Sequence, residues 1–385
     1  MKVLIIEDIK EKKDAIKECI LDTLCGDRKK IDFIYAPSLI EAIREMNKHK
    51  SDLIVFDMYL PSSPSDPTPI DCSQQLIMEF TQSSSYQSEA IALTGVDIQQ
   101  IDDMRAFNQV GVTLVKYDKS GEWKKALASK VTRVAQKPRE DFLIFTALAS
   151  EREGFRDADC KLGDTKNIYG MDCQEIEIGV SKGLIIKPRH MGLVNMAIAV
   201  SKSIEIFQPK IVAMSGICAG VSGESNYLDL LVGKVCWEWQ TGKWKDGEFR
   251  QEPYQRSMSS QLEVDLEQST QSQLIIDEIR NNLYCSELAD MKIRLVPVSS
   301  GSAVIADADK MDQIGMQHRK MAGLEMEMYA MYEAAEQSLA KPLFFGAKSV
   351  VDMGDKGKSD DYHRPACVTS ARYVAMMISK QLDKL

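Results

Sequence analysis

Short apolar runs that stop abruptly on a polar residue constrain this chain more than any other feature. Residues 3–6 (VLII) lead into Glu7-Asp8, and residues 53–56 (LIVF) lead into Asp57. Residues 31–35, 90–93 and 112–115 are also strand-like, the last two leading into Thr94 and Lys116. Helical spacing of apolar positions fills residues 9–24, and Ser38 is placed to cap a helix running through Met46. Strands that are apolar throughout are buried on both faces, so they belong to a parallel sheet covered by helices on either side. In such sheets ligand chemistry collects at the carboxyl ends of the strands, where Glu7, Asp8, Asp57, Thr94 and Lys116 fall.

At 385 residues the chain exceeds one ordinary core. The reading is α/β throughout: a flavodoxin-like doubly wound domain over 1–136, a polar linker over 137–141, and a second α/β domain over 142–385. The second domain opens on the buried strand FLIF (142–145) and is expected to carry a mixed central sheet. Residues 61–71 read as a proline- and serine-rich loop, residues 237–258 as a long loop or hairpin, and residues 259–280 as helix. The net charge of −9 argues against a duplex-DNA partner, which needs a basic face. No apolar run approaches the ~18 residues of a bilayer span, and the acidic start is unlike a secretory signal, so a cytoplasmic location is expected. Nine cysteines without CxxC spacing read as reduced thiols, and four scattered histidines give no zinc pattern.

Three carboxylates gathered by Glu7, Asp8 and Asp57 would repel one another unless a hard divalent cation such as Mg²⁺ sat among them. Lys116 would then neutralise a phosphoryl group on Asp57, and Thr94 would donate its hydroxyl to it. The residues and their order resemble the response-regulator receiver domain over nearly all of 1–135. The resemblance implies that Asp57 is the phosphoacceptor, that Glu7, Asp8 and Asp57 bind Mg²⁺, and that Thr94 and Lys116 are the switch residues. It also implies an upstream histidine kinase or phosphotransfer protein as partner. Tyr117 follows the lysine where the family usually has proline, and Thr113 stands where a switching aromatic often sits.

In the second domain, Glu151 follows the first strand in TALASE (146–151). A small-residue turn, SGICAG (215–220), follows the strand at 211–214. GLEME (323–327) and VVDMGD (350–355) complete the set, the latter after a strand expected over 343–348. Cleaving a nucleoside C–N bond passes through a ribosyl cation with a poor leaving base. It requires an acid for the base, a carboxylate for water, and an anion near the ribose hydroxyls. Glu151, Glu327 and Asp352 fit those demands, and Gly216 and Gly220 would let backbone approach the substrate. Glu325 reads as an exposed acid at a helix start. Trp237, Trp239 and Trp244 read as subunit packing in preference to a base cap.

These segments resemble the nucleoside phosphorylase and nucleosidase superfamily over about 141–385. That resemblance implies a nucleosidase needing no cofactor of its own, in which Glu151 positions water, Glu327 holds the ribose hydroxyls and Asp352 protonates N7. Ser215 and Gly216 would contact substrate, Met326 would pack under the ribose, and Ser300, Gly301 and Val304 would line the base pocket. It further implies a homo-oligomer, a dimer or a trimer of dimers. Arg189 and His190 read equally as phosphate contacts or surface residues. Arg152, Lys182, Lys187, Arg319, Lys320 and Lys356 are further basic candidates for a nucleotide.

A receiver joined to this nucleosidase type, with QTGKW (240–244) and RKMAGLEME (319–327), resembles the effector component of the Detocs antiphage phosphorelay. The resemblance implies hydrolysis of ATP and dATP to adenine and (deoxy)ribose triphosphate. The alternatives are a purine nucleoside phosphorylase, a methylthioadenosine/adenosylhomocysteine-type nucleosidase, or a non-catalytic nucleotide sensor.

Overall fold

The computed structural model describes residues 1–385 apart from 25–30, 97–103, 253 and 356–359. The chain divides into two compact units, Met1–Lys137 and Pro138–Leu385.

In the first unit the strands are β1 (Lys2–Ile6), β2 (Asp32–Ala36), β3 (Leu53–Phe56), β4 (Tyr59–Ser63), β5 (Asp66–Asp71), β6 (Glu89–Thr94) and β7 (Thr113–Lys116). The helices are α1 (Lys10–Thr23), α2 (Leu39–Lys48), α3 (Ser73–Gln82), α4 (Met104–Gln109) and α5 (Glu122–Ala135). Five strands form a parallel sheet in the order β2-β1-β3-β6-β7, the doubly wound order. Side-chain alternation explains why its strands are apolar at every position. Leu4, Ile6, Ile54, Phe56, Ala90 and Ala92 enter the core on one face, with α2 and α3 residues. Val3, Ile5, Leu53, Val55, Ile91 and Leu93 enter the other, against α1 and α5.

The segment 61–71, expected as a loop, is instead mostly a hairpin in which β4 pairs antiparallel with β5. Its prolines suit an isolated two-stranded ribbon, since each strand has an unpaired edge where a missing N–H does no harm.

The second unit holds β8 (Phe142–Phe145), β9 (Lys161–Ile168), β10 (Met171–Ile178), β11 (Ser181–Lys187), β12 (Ile211–Gly220), β13 (Leu230–Glu238), β14 (Gly242–Lys245), β15 (Glu248–Gln251), β16 (Gln255–Ser257), β17 (Ile293–Ser300), β18 (Gly323–Glu325) and β19 (Leu343–Asp352). Its helices are α6 (Ala149–Glu153), α7 (Leu193–Phe207), α8 (Ser260–Thr270), α9 (Gln273–Arg280), α10 (Ala308–Gly315), α11 (Met328–Gln337) and α12 (His363–Leu382). A mixed 10-stranded sheet runs β16-β13-β17-β18-β12-β8-β11-β10-β9, with β19 pairing both β12 and β13. β8, β12 and β19 are parallel, so the segments after β8 and the ends of β12 and β19 meet along one edge. Strand β19 extends through Ser349, Val350 and Val351 to Asp352, past the end expected at Lys348. The segment 237–258 contains the hairpin β14–β15 and the strand β16, which pairs with β13.

Candidate functional site

The carboxyl edge of β8, β12 and β19 opens into a cavity of about 220 Å³. Glu151, Glu327 and Asp352, from three distant segments, all line it, together with Met326, Glu325, Lys348, Val304 and Met191.

Glu151 sits in α6, directly after β8, and is almost wholly buried. Its Oε2 accepts the amides of Ala147 at 2.6 Å and Leu148 at 3.0 Å, and its Oε1 accepts the amide of Ile217 at 2.9 Å. Burial pushes this carboxyl above the usual carboxylate range; Lys348 pulls it back, and nearby Glu327 pushes it up again. Glu327 lies at the start of α11 and is also buried. Its Oε1 accepts the Gly192 amide at 3.0 Å, and its Oε2 accepts the Lys348 ammonium at 2.9 Å. Asp352, at the end of β19, is half-buried and accepts the Gly354 amide at 2.8 Å.

Lys348 organises the floor of this cavity, and the sequence reading assigned it no role. Its ammonium lies 2.8 Å from Glu325 and 2.9 Å from Glu327, with 3% of its side chain exposed. Burial alone would drag the ammonium down, but Glu325, Glu327 and Glu151 together hold it well above the ordinary lysine value. Glu325 is therefore no exposed helix-start acid. It is 5% exposed and accepts the amides of Glu327 (2.9 Å) and Met328 (2.9 Å), plus the Ser300 hydroxyl. One lysine against Glu151, Glu325 and Glu327 leaves the pocket wall with excess negative potential.

Several expected contacts lie elsewhere. Ser215 bonds Ser370 at 2.8 Å behind the sheet, and Ser300 serves Glu325 and the Tyr329 amide. Neither lines the cavity. Gly216 is small for Glu151, not for substrate: a Cβ there would stand 2.2 Å from Glu151 Oε1. Gly220 packs on Ser225, Val350 and Met353, and Gly301 on the Trp239 ring, for the same reason. Trp237 is a core residue, 1% exposed, rather than a subunit contact. Arg189 is exposed and lines a separate cavity of about 600 Å³ with Lys166, Lys187 and Lys202, while His190 lies exposed beside it. Lys356 lies outside the described residues.

In the first unit Glu7 and Asp57 are buried at the ends of β1 and β3, with Asp8 half-buried beside them. Thr94, fully buried, accepts the Val96 amide at 3.1 Å, and half-buried Lys116 registers with it across β6–β7. The position between Glu7 and Asp57, where Mg²⁺ was expected, holds the Lys12 ammonium, 2.8 Å from Glu7 and 2.5 Å from Asp57. Burial lifts the Glu7 carboxyl to about 7 in spite of that lysine. Among the described residues no group of three or more His, Cys, Asp or Glu side chains is gathered for a metal. As arranged, the pocket fits an ammonium and not Mg²⁺.

No family model matches the chain. An uncharacterised protein, y4jS, of Sinorhizobium fredii is 22% identical over 417 residues, spanning 100% of both chains. Among solved structures, the methylthioadenosine/adenosylhomocysteine nucleosidase of Colwellia psychrerythraea, in complex with adenine, aligns with a TM-score of 0.50. It shows 18% identity over 63% of this chain and 96% of its own. The corresponding nucleosidase of Neisseria meningitidis aligns at 0.48 (18% identity; 62% of this chain, 98% of that one). Futalosine hydrolase of Helicobacter pylori aligns at 0.48 (14%; 64% and 99%). The likeness to the Colwellia enzyme defines a class of fold: the nucleoside phosphorylase-like α/β fold of the nucleosidases, over 63% of the chain.

Proposed function

We propose that the second unit is a nucleosidase that hydrolyses the N-glycosidic bond of ATP or dATP to adenine and (deoxy)ribose triphosphate. The first unit acts as a phosphoacceptor receiver that controls it, in a two-component antiphage effector. The observation that carries the reading is the convergence of Glu151, Glu327 and Asp352 on one cavity whose wall has an excess of carboxylate over ammonium. A ribosyl cation developing beside that wall is stabilised by fixed charge already in place.

As the C1′–N9 bond breaks, its electron pair passes to the base and Asp352 delivers a proton to N7. Water adds to C1′ while Glu151 takes its proton, so atoms and charge balance. Glu327, held by Gly192 and Lys348, keeps lone pairs for the ribose hydroxyls. A separate cavity lined by Lys166, Lys187, Arg189 and Lys202, with Asp172 among them, is the cationic surface that a phosphorylated substrate would call on. A thioether nucleoside is the second reading. It is favoured by the apolar lining of Met191, Val304 and Ile305 and by the pairing of Lys348 with Glu325 and Glu327.

For the first unit, the support is the doubly wound sheet with Asp57, Thr94 and Lys116 at successive strand ends. Exposed Val194 and Ile198, one turn apart on α7, support a homo-oligomer.

The test is incubation of the phosphodonor-treated chain with ATP, dATP and methylthioadenosine, with and without phosphate, followed by identification of free adenine. Adenine from ATP without phosphate is expected. Adenine from methylthioadenosine alone would transfer the reading to the thioether nucleoside, and a phosphate requirement would make the enzyme a phosphorylase. No turnover of any of them, with ATP binding kept in Glu327→Gln, would make the unit a sensor.

A further inference from the structure

Helix α1 buries Ile16, Cys19 and Ile20, and Lys12 lies on the same face one turn earlier. Its ammonium donates to Asp57 Oδ2 at 2.5 Å and to the Leu93 carbonyl at 2.8 Å, and it meets Glu7 Oε2 at 2.8 Å. Two of the lysine's three N–H donors are thereby engaged in hydrogen bonds, and Glu7 is held by charge. The ring of Tyr117, centred 5.2 Å from Nζ and packed on Trp123, closes the remaining side. Lys12 is only 5% exposed, so this is a built position and not a surface side chain that has folded inwards.

Two buried carboxylates this close need a cation between them. Mg²⁺ would demand oxygens at about 2.0–2.1 Å in near-octahedral array, and two of the carboxylate oxygens it would use, Glu7 Oε2 and Asp57 Oδ2, are already held by Lys12. Glu7 Oε2 is buried with no well-directed hydrogen bond, so the ion pair with Lys12 is what satisfies it.

We infer that Lys12 is the resident counter-ion of the Glu7–Asp57 pocket, tethered through α1, and that a divalent cation enters only by displacing it. The inference rests on the reading of Asp57 as phosphoacceptor for its regulatory meaning. With Oδ2 held by Lys12, Oδ1 is the oxygen left to accept a phosphoryl group, and α1 is tied directly to whatever happens at Asp57. Among the described residues Oδ1 accepts the Tyr59 amide, a long contact at 3.2 Å.

The test uses the full chain titrated with Mn²⁺, the free ion being followed by electron paramagnetic resonance. Lys12→Gln is expected to bind Mn²⁺ at least about tenfold more tightly than wild type, because the wild-type site is competent only in the fraction with its ammonium withdrawn. Adding Asp57→Asn should abolish that gain. Equal affinity in wild type and Lys12→Gln would overturn the inference. If Lys12→Gln fails to fold, wild type and Asp57→Asn decide the matter: similar weak Mn²⁺ binding supports a blocked site, and a large loss on Asp57→Asn overturns it. Treatment with acetyl phosphate and intact-mass measurement is a separate arm. Absence of a phosphoryl adduct removed by Asp57→Asn would sink the phosphoacceptor reading and leave the Mn²⁺ comparison standing.

Discussion

Replacing Lys348 with methionine asks whether charge pairing holds the proposed catalytic cavity together. The ammonium lies 2.8 Å from Glu325 Oε2 and 2.9 Å from Glu327 Oε2, out of contact with bulk water. Methionine keeps much of the lysine stem, so packing loss is a minor part of the effect. Removing one member of a buried ion pair destabilises by about 3–5 kcal/mol, because the abandoned charge stays buried. Here two carboxylates are abandoned. Among the described residues Glu325 keeps two amide donors and the Ser300 hydroxyl, whereas Glu327 keeps the Gly192 amide alone. The expected loss is therefore about 3–5 kcal/mol, arising mainly at Glu327. A single denaturation curve is ambiguous for a chain of two units. Amide hydrogen exchange resolves them, with peptides from β12 and β19 losing protection while those from β1 and β3 do not. Adding Glu327→Gln to Lys348→Met should recover part of the loss, a non-additivity expected of groups in one network. A loss under about 1 kcal/mol, or strict additivity in the double variant, would refute this account of the cavity.

Gly216→Ala places a methyl 2.2 Å from Glu151 Oε1, so turnover should collapse while stability falls by only about 1–3 kcal/mol; both kcat and Tm need measuring. If Asp352 is the proton donor proposed above, Asp352→Asn should lower kcat by about 10²–10⁴-fold on ATP, with much less effect on a riboside whose leaving group needs no protonation. Because burial raises the Glu151 carboxyl above 4.5, and water activation needs its anion, the rising limb of kcat/KM should lie above that value; a limb at or below it would contradict the assignment. The same shift has a stability sign: the native state holds this proton more tightly than the unfolded chain. Its contribution is complete below pH 4.5 and is lost as pH rises through the elevated value, a slope that Glu151→Gln should flatten.

Two acids of the cavity were legible because strand ends announce themselves where an apolar run meets a charge: Glu151 follows FLIF and Asp352 ends the run that became β19. Glu327 stood out through the GLEME segment and its methionine neighbours, with no strand expected before it, and the structure places the short β18 there. The lysines were not legible in the same way. A charged residue in an apolar run is naturally read as the end of the run, and so β19 seemed to stop at Lys348 although Val350 and Val351 continue it. A lysine inside a buried strand must be paired, which would have directed attention to Glu325 as well as Glu327. Lys12 carried a similar signal, since helical spacing sets it on the face of Ile16 and Ile20. The glycines were misassigned for a different reason. Sequence shows that a position has no side chain but not what fills the space, and at Gly216 the occupant is Glu151, with Lys348 directly across the β12–β19 pairing.

Both units thus bury a lysine between two carboxylates, yet the chemistry proposed for them differs in sign. In the second unit the reacting sugar becomes positive. Lys348 must therefore neutralise enough charge to keep Glu325 and Glu327 buried while leaving the wall negative. In the first unit the incoming phosphoryl group is an anion, and carboxylate excess opposes it. Lys12 there does work that favours the reaction directly, by cancelling part of the charge of Glu7 and Asp57. The two lysines should therefore respond differently to loss of charge at constant shape. Lys348→Met leaves the cationic transition state surrounded by still more carboxylate, so damage should come through folding and the position of Glu327 and should be partly repaired by Glu327→Gln. Lys12→Met leaves Asp57 facing an anion with its counter-ion gone. An added divalent cation supplies the missing positive charge, so phosphorylation of that variant is expected to depend on metal more steeply than that of wild type.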